Sequence, residues 1–199
     1  MCGMAARSMR QASQALLTAD LQLAAQVLAA DATLDMARHA CEEQAQSLLA
    51  LQAPVARDLR SILAAVYSAE KIERMGDLAA HIADAVRFTH PEHVVPPEFE
   101  QIFTDLGEIA AGMADRVGEF TAGGAGGGYV ELNETDRAVD ALHARVMSSI
   151  TGKGWTHGVQ SATSLALVAR FYERFADQAV SVAKRLDFAE TGRTPTSGV

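Results

Sequence analysis

Apolar residues recur along the chain at helical spacing, and breaks in that rhythm divide it into six segments. The first is a short helix reaching Leu16, and Asp20 stands as an N-cap ahead of a second helix carrying Leu21, Leu23, Val27, Leu28 and Leu34. That pattern continues through Met36, Leu48, Leu49 and Leu51 to Pro54, a residue tolerated in a first helical turn but not in an interior, so Pro54 marks a turn. A third helix carries Leu59, Ile62, Val66, Ala69, Ile72, Met75, Ala79, Ile82 and Val86, a step close to the seam of a helical bundle, and stops at His90-Pro91.

Pro96-Pro97 opens a fourth helix with Phe99, Ile102, Phe103, Leu106, Ile109 and Met113, which the glycine run from Gly123 to Gly128 ends as a flexible loop. A fifth helix is expected from about Glu131 to Ile150. After a turn at Gly152-Lys153-Gly154, a sixth runs to about Ala189, and the polar tail 191–199 is expected to be disordered. The fold class is therefore all-α. Composition agrees, because alanine, leucine, glutamate, glutamine and arginine dominate while aromatics, proline and β-branched runs are sparse.

The second half of the chain repeats the first. An offset of 100 residues aligns Ala69 with Ala169, Glu73 with Glu173, Arg74 with Arg174, Asp77 with Asp177, Ala79 with Ala179, Ala83 with Ala183 and Phe88 with Phe188. Ile72/Tyr172, Met75/Phe175, Ile82/Val182 and Val86/Leu186 stay apolar, so the core-facing positions repeat along with the charges. An offset of 105 matches Asp31 and Asp35 with Asp136 and Asp140. Each half reads as three helices, with domains expected at 1–91 and 92–190.

The repeated acids are the candidate chemistry. Residues four apart share a helix face, so Asp31 with Asp35 and Glu73 with Asp77 each form an acidic step. Counted from the turn near Ala53 at about 1.5 Å per residue, Asp35 and Glu73 lie roughly 27 and 30 Å along their helices, and Asp31 and Asp77 roughly 33 and 36 Å. Antiparallel packing brings all four level, and Asp136, Asp140, Glu173 and Asp177 do the same around Gly154. Four like charges cost stability unless arginine or a cation offsets them, and oxygen-only clusters suit hard cations such as Mg²⁺, Ca²⁺, Mn²⁺ or ferric iron. Two readings stand side by side: a cation site, or a solvated acidic surface copied for structural reasons.

Other chemistries lack their residues. A ferritin-type di-iron site needs Glu-x-x-His on two helices, and this sequence offers only Asp140-x-x-His143. The glycine run lacks the lysine and serine or threonine of a phosphate-binding loop, and no Gly-x-Ser-x-Gly nucleophile occurs. Trp155, beside the Gly154 turn, is expected to cap a bundle end. A net charge of −8 opposes binding to a phosphate backbone, so no nucleic-acid partner is expected. No apolar run approaches the roughly 18 residues of a membrane span, and two cysteines, Cys2 and Cys41, fit a reduced cytoplasm.

Two segments carry a resemblance. Leu48-Leu49-Ala50-Leu51-Gln52-Ala53-Pro54-Val55-Ala56-Arg57-Asp58-Leu59-Arg60, followed by Ile72-Glu73-Arg74-Met75-Gly76-Asp77, resembles the signature of the PhoU family of phosphate-homeostasis regulators. Phe171-Tyr172-Glu173-Arg174-Phe175-Ala176-Asp177-Gln178-Ala179-Val180 resembles that family's closing repeat, in its actinobacterial form. The resemblance implies two tandem, spectrin-like three-helix bundles in a cytoplasmic homodimer or larger homo-oligomer. It also implies a regulator that links the PstB-type ATPase of a phosphate ABC transporter to a PhoR-type sensor kinase and represses the phosphate-starvation response.

Iron or another hard metal on the acidic motifs is implied too, at Asp31, Asp35, Glu73, Asp77, Asp136, Asp140, Glu173 and Asp177. Departures from the family pattern fall at Gln52, Leu78 and Gln178, which weaken the polar surroundings of the acids. The family's first helix usually begins about half a helix earlier, so Met1 is expected to be an internal start, with apolar surface bared at one bundle end. Three functions are weighed: a regulatory docking module, a metal-dependent helical enzyme activating oxygen or water, and a purely structural scaffold.

Overall fold

The computed structural model describes residues 1–123 and 128–195. These form six α-helices: α1 (Cys2–Thr18), α2 (Leu21–Gln52), α3 (Ala56–Thr89), α4 (Glu100–Gly123), α5 (Gly128–Thr151) and α6 (Gly158–Thr191). A 3₁₀ turn at Pro97–Phe99 leads into α4, and no strand occurs among the described residues.

The boundaries follow from local chemistry. The Asp20 side chain accepts a hydrogen bond of 2.9 Å from the Leu23 N–H, which is the cap read from the sequence. Ala19 and Ala53 take left-handed conformations after α1 and α2, positions where glycine is the usual residue. The α3 helix ends at Thr89, just before a cis His90–Pro91 bond. Helix α5 includes Gly128, three residues before the start that the pattern indicates, and the backbone of Gly128 lies directly on the Phe120 ring, 2.6 Å from where a Cβ would sit. Of the run from Gly123 to Gly128 expected as a loop, Gly123 closes α4 and Gly128 opens α5, and residues 124–127 lie outside the described residues. The tail expected from 191 starts inside α6, whose last residue is Thr191. Gly192 follows at φ 69° and donates to the Phe188 carbonyl, and residues 196–199 lie outside the described residues.

Helix α1 is longer than its leucine pattern suggests. Its buried face is Ala5, Ala6, Met9, Ala12, Ala15 and Leu16, all fully inaccessible to solvent. Small side chains hide this face from a search for large apolar residues, yet they allow the tightest helix approaches. Gly107 of α4 sits against Ser13 and Gly118 against Cys2, so α1 and α4 run antiparallel. The Tyr172 hydroxyl donates to Ser13 Oγ at 2.9 Å across the same crossing.

The long helices α3 and α6 are also antiparallel. His81 stacks on Phe171 with centroids 5.2 Å apart, while Arg185 lies over Tyr67 and Arg60 Nε donates to the Ala189 carbonyl. One continuous core runs through all six helices, so the two halves share an interior and are not separate bodies. The connection between α3 and α4 joins that core through Val94 and Val95. Helix α2 is peripheral, burying only Ala24, Val27, Leu34 and Ala45.

A Cβ at Gly107 would lie 2.7 Å from Ser13 Cβ, whereas one at Gly112 would meet nothing within 4 Å. We therefore expect Gly107→Ala to destabilise the protein by about 1–3 kcal/mol through overpacking. Gly112→Ala is expected to stabilise it by about 0.5–1 kcal/mol through helix propensity. Urea denaturation of both variants checks the pair, and equal effects would refute the crossing geometry.

Candidate functional site

In the α2–α3 hairpin, Gly76 permits the approach that brings the acids together. A Cβ there would sit 2.5 Å from Leu34 Cδ2 and 3.4 Å from Asp31 Oδ1, so α3 lies directly on the acidic face of α2. Asp31 consequently feels the charges of Asp77 and Asp35, and Glu73 those of Asp77, Asp35 and Asp31. In the α5–α6 hairpin Asp136 feels Asp140, Asp177 and Glu173 in the same way. The structure thus gathers all eight sequence-predicted residues into two groups of four. Among the described residues, however, no three carboxylate, histidine or cysteine side chains converge on a point that could hold a metal ion.

Burial is the first cause of perturbation at both faces, and carboxylate repulsion the second. Asp31 and Glu73 are pushed above the usual carboxylate range by partial desolvation and then by their acidic neighbours, with His81 and Arg38 opposing at Asp31 and Glu73 respectively. Asp136 is pushed up to about 6, again by desolvation first and then by Asp140, Asp177 and Glu173. Asp177 is raised by desolvation against the lowering influence of Arg170 and Arg174.

The two faces differ in how their charge is offset. In the first, Arg38 donates to Asp35 at 2.9 Å and to Glu42 at 2.6 Å, and Arg74 donates to Asp77 at 2.6 Å. His39 Nδ1 also lies 3.4 Å from Asp35. In the second, the offset of 105 replaces Arg38 by His143, and Arg170 pairs with Glu173. Asp136 Oδ1 is buried there without a hydrogen-bond partner. Arg74 has its repeat counterpart in Arg174, whereas Arg38 and Arg170 have His143 and Glu70 at the equivalent positions, so the repeat does not point to them. The signal was present, since each stands three residues from an acid of the face, Arg38 after Asp35 and Arg170 before Glu173.

Elsewhere, Trp155 does close a bundle end, edge-on to Phe99 with centroids 5.8 Å apart and its indole N–H donating to the Gly158 carbonyl. Beside it, His157 Nε2 bonds Glu98 at 2.5 Å. No helix among the described residues is long and apolar enough to cross a membrane.

Two antiparallel hairpins, each presenting four neighbouring carboxylates and joined through one core, define a duplicated all-helical protein. The chain belongs to the PhoU family: the PhoU domain matches residues 1–86 and again 103–186. The family is one of regulatory accessory proteins of phosphate transport and not of enzymes, which sets aside the metal-dependent enzyme considered from sequence.

The chain is 43% identical over 195 residues to phosphate-specific transport system accessory protein PhoU homolog 1 of Mycobacterium leprae, covering 98% of this chain and 88% of that protein. It is 42% identical to PhoU homolog 2 of Mycobacterium tuberculosis, over 98% and 92% of the two chains. The crystal structure of PhoU from Streptococcus pneumoniae superposes with a TM-score of 0.87 at 24% identity, covering 98% of this chain and 92% of that one, and shows the same fold.

The raised Asp136 carboxyl ties stability to pH. Its folded pKa lies above the ordinary 3.8, so ionisation penalises the folded state; the penalty is absent below about pH 3.8 and complete above about pH 6. Asp136→Asn is expected to raise stability at pH 7.5 by about 1 kcal/mol, after allowance for solvent screening at a half-buried site. That gain should vanish by pH 4. Thermal melts of both proteins across this range decide it, and a pH-independent difference would exclude the electrostatic cause.

Proposed function

We propose that this protein is a cytoplasmic accessory regulator of phosphate uptake that acts by docking rather than by turnover. In this reading the acidic faces engage the PstB-type ATPase of a phosphate-specific transporter and a PhoR-type sensor kinase, and the complex restrains the starvation response when phosphate is plentiful. The observation that carries the reading is the duplication: the same four carboxylates are held level on two hairpins despite their mutual repulsion. A purely structural surface has no need of that cost. The mycobacterial relatives, named as accessory proteins of phosphate-specific transport, support the assignment of the process. A homodimer or larger homo-oligomer belongs to the same proposal.

A hard cation such as iron, Mn²⁺ or Mg²⁺ fits the second face better than the first. Its donors are all oxygens, and Asp136 Oδ1 is a buried acceptor lacking a donor. Asp136, Asp140, Glu173 and Asp177 would hold the ion, whose contribution is to neutralise crowded carboxylates. At the first face, Asp31, Asp35, Glu73 and Asp77 already have Arg38 and Arg74 against two of their number.

Elemental analysis of the purified protein by mass spectrometry tests the cation. Metal is expected at about one ion per chain in the wild type and in Glu73→Ala/Asp77→Ala, and is expected to be lost in Glu173→Ala/Asp177→Ala. Equal content in all three would remove the second face as the site. The docking itself is tested by co-purification: retention of the transporter ATPase or the kinase should fall when both faces are neutralised. Undiminished retention would refute the role of the acids.

A further inference from the structure

A crevice of about 390 Å³ lies between α3 and the C-terminal part of α6, lined by Lys71, Ser181, Lys184, Arg185, Phe188 and Thr194. The internal repeat shows that its charge is not a by-product of the fold. An offset of 100 residues carries Lys71, Ser181, Lys184, Arg185 and Phe188 onto Phe171, His81, Asp84, Ala85 and Phe88. All five of these line a second crevice, of about 290 Å³, between α6 and the C-terminal part of α3. The scaffold thus builds the same recess twice. In the second recess His81 stacks on Phe171, and Asp84 is paired with Arg87. Three cations line one recess, where the other has a carboxylate and a histidine.

In a chain of net charge −8, these cations also differ from the rest in their partners. Arg38, Arg74, Arg87, Arg116, Arg137 and Arg170 each pair with a carboxylate three or four residues away on the same helix. Lys184 and Arg185 make no ion pair among the described residues. Each lies on an aromatic ring instead, Lys184 at 5.7 Å from the Tyr129 centroid and Arg185 at 4.5 Å from that of Tyr67. A ring attracts a cation without neutralising it. Stacking also fixes the plane of the Arg185 guanidinium, whose edge N–H groups suit phosphoryl oxygens. Lys71 has only its chain neighbour Glu70, at 3.7 Å. Ser181 and Thr194 add hydroxyl groups, and Phe188, 36% exposed, adds an apolar surface.

We propose that this recess binds a phosphorylated small molecule, with its phosphoryl oxygens on Lys71, Lys184 and Arg185 and its body against Phe188. Cations converging from two helices match the several negative charges of a diphosphate. The volume falls within the range of small-molecule sites and exceeds what one orthophosphate ion fills, so the ligand has a body beyond its phosphoryl groups. Lys71 comes from α3 and the other lining residues from α6 and the turn after it, so the bound molecule bridges the two copies of the repeat. None of the eight carboxylates of the acidic faces lines the recess. The inference therefore stands or falls independently of the cation and of the docking proposed for those faces.

The test is isothermal titration calorimetry on the full chain, in buffer stripped of divalent cations so that no metal on the acidic faces contributes. ADP, pyrophosphate and orthophosphate are the probes. ADP is expected to bind saturably at about one molecule per chain, pyrophosphate more weakly and orthophosphate most weakly. Lys184→Gln/Arg185→Gln, at two exposed positions, should weaken ADP at least about tenfold while keeping the helical circular dichroism of the wild type. Arg137→Gln, which removes an exposed cation from α5, should leave binding unchanged. Absence of saturable ADP binding, or undiminished binding by the folded double variant, would overturn the proposal. An equal loss in Arg137→Gln would reduce the effect to overall charge and overturn the site. Pyrophosphate or orthophosphate bound as tightly as ADP would overturn the placing of a ligand body on Phe188.

Discussion

Close approach of helix backbones is the constraint on which the rest of this molecule depends. Where Gly107 meets Ser13, where Gly76 meets Leu34 and where Gly128 meets Phe120, the facing surfaces leave no room for a further methyl group. Dispersion between packed surfaces falls steeply with separation, so such contacts hold helices rigidly while contributing few large side chains. The acidic faces follow from this. Gly76 sets the distance between α2 and α3 that makes Asp31 a neighbour of Asp77, and partial burial at that distance does more to perturb the carboxylates than their mutual repulsion does.

The two halves then diverge within a shared frame. The first keeps two arginines against its acids and has small residues along α3. The second gives up the arginine equivalent to Arg38, leaves an acceptor of Asp136 unsatisfied, and fills its end with Phe99, Phe103, Trp155 and Tyr172. The halves thus differ both in how their charge is offset and in the size of the side chains along α3 and α6. Duplication followed by such exchange lets a single scaffold carry two unlike surfaces without a change in topology.

Much of this was legible in the sequence. The helix count, the turns at Pro54 and Gly154 and the Asp20 cap are local signals, and the level acids follow from the rise per residue once the helices are paired. Less accessible were features that depend on small residues and on tertiary neighbours. The buried face of α1 is built of alanine, whose side chain gives a weak periodic signal. Val94 and Val95 sit in a connection that has no helical period, yet they enter the core. Arg38 and Arg170 are hard to find because neither has an arginine at the equivalent position of the other half.

The reach of Arg60 from α3 to the Ala189 carbonyl has a consequence for how the protein comes apart. The closing turn of α6 is anchored by a residue from the other copy of the repeat, and its last glycine lies against the same guanidinium. Fraying at the C-terminus must release a contact made by the first half, and loss of the first half removes the anchor of the second. Neither copy keeps its full set of interactions alone. That mutual dependence favours melting of the duplicated chain as one unit over melting half by half.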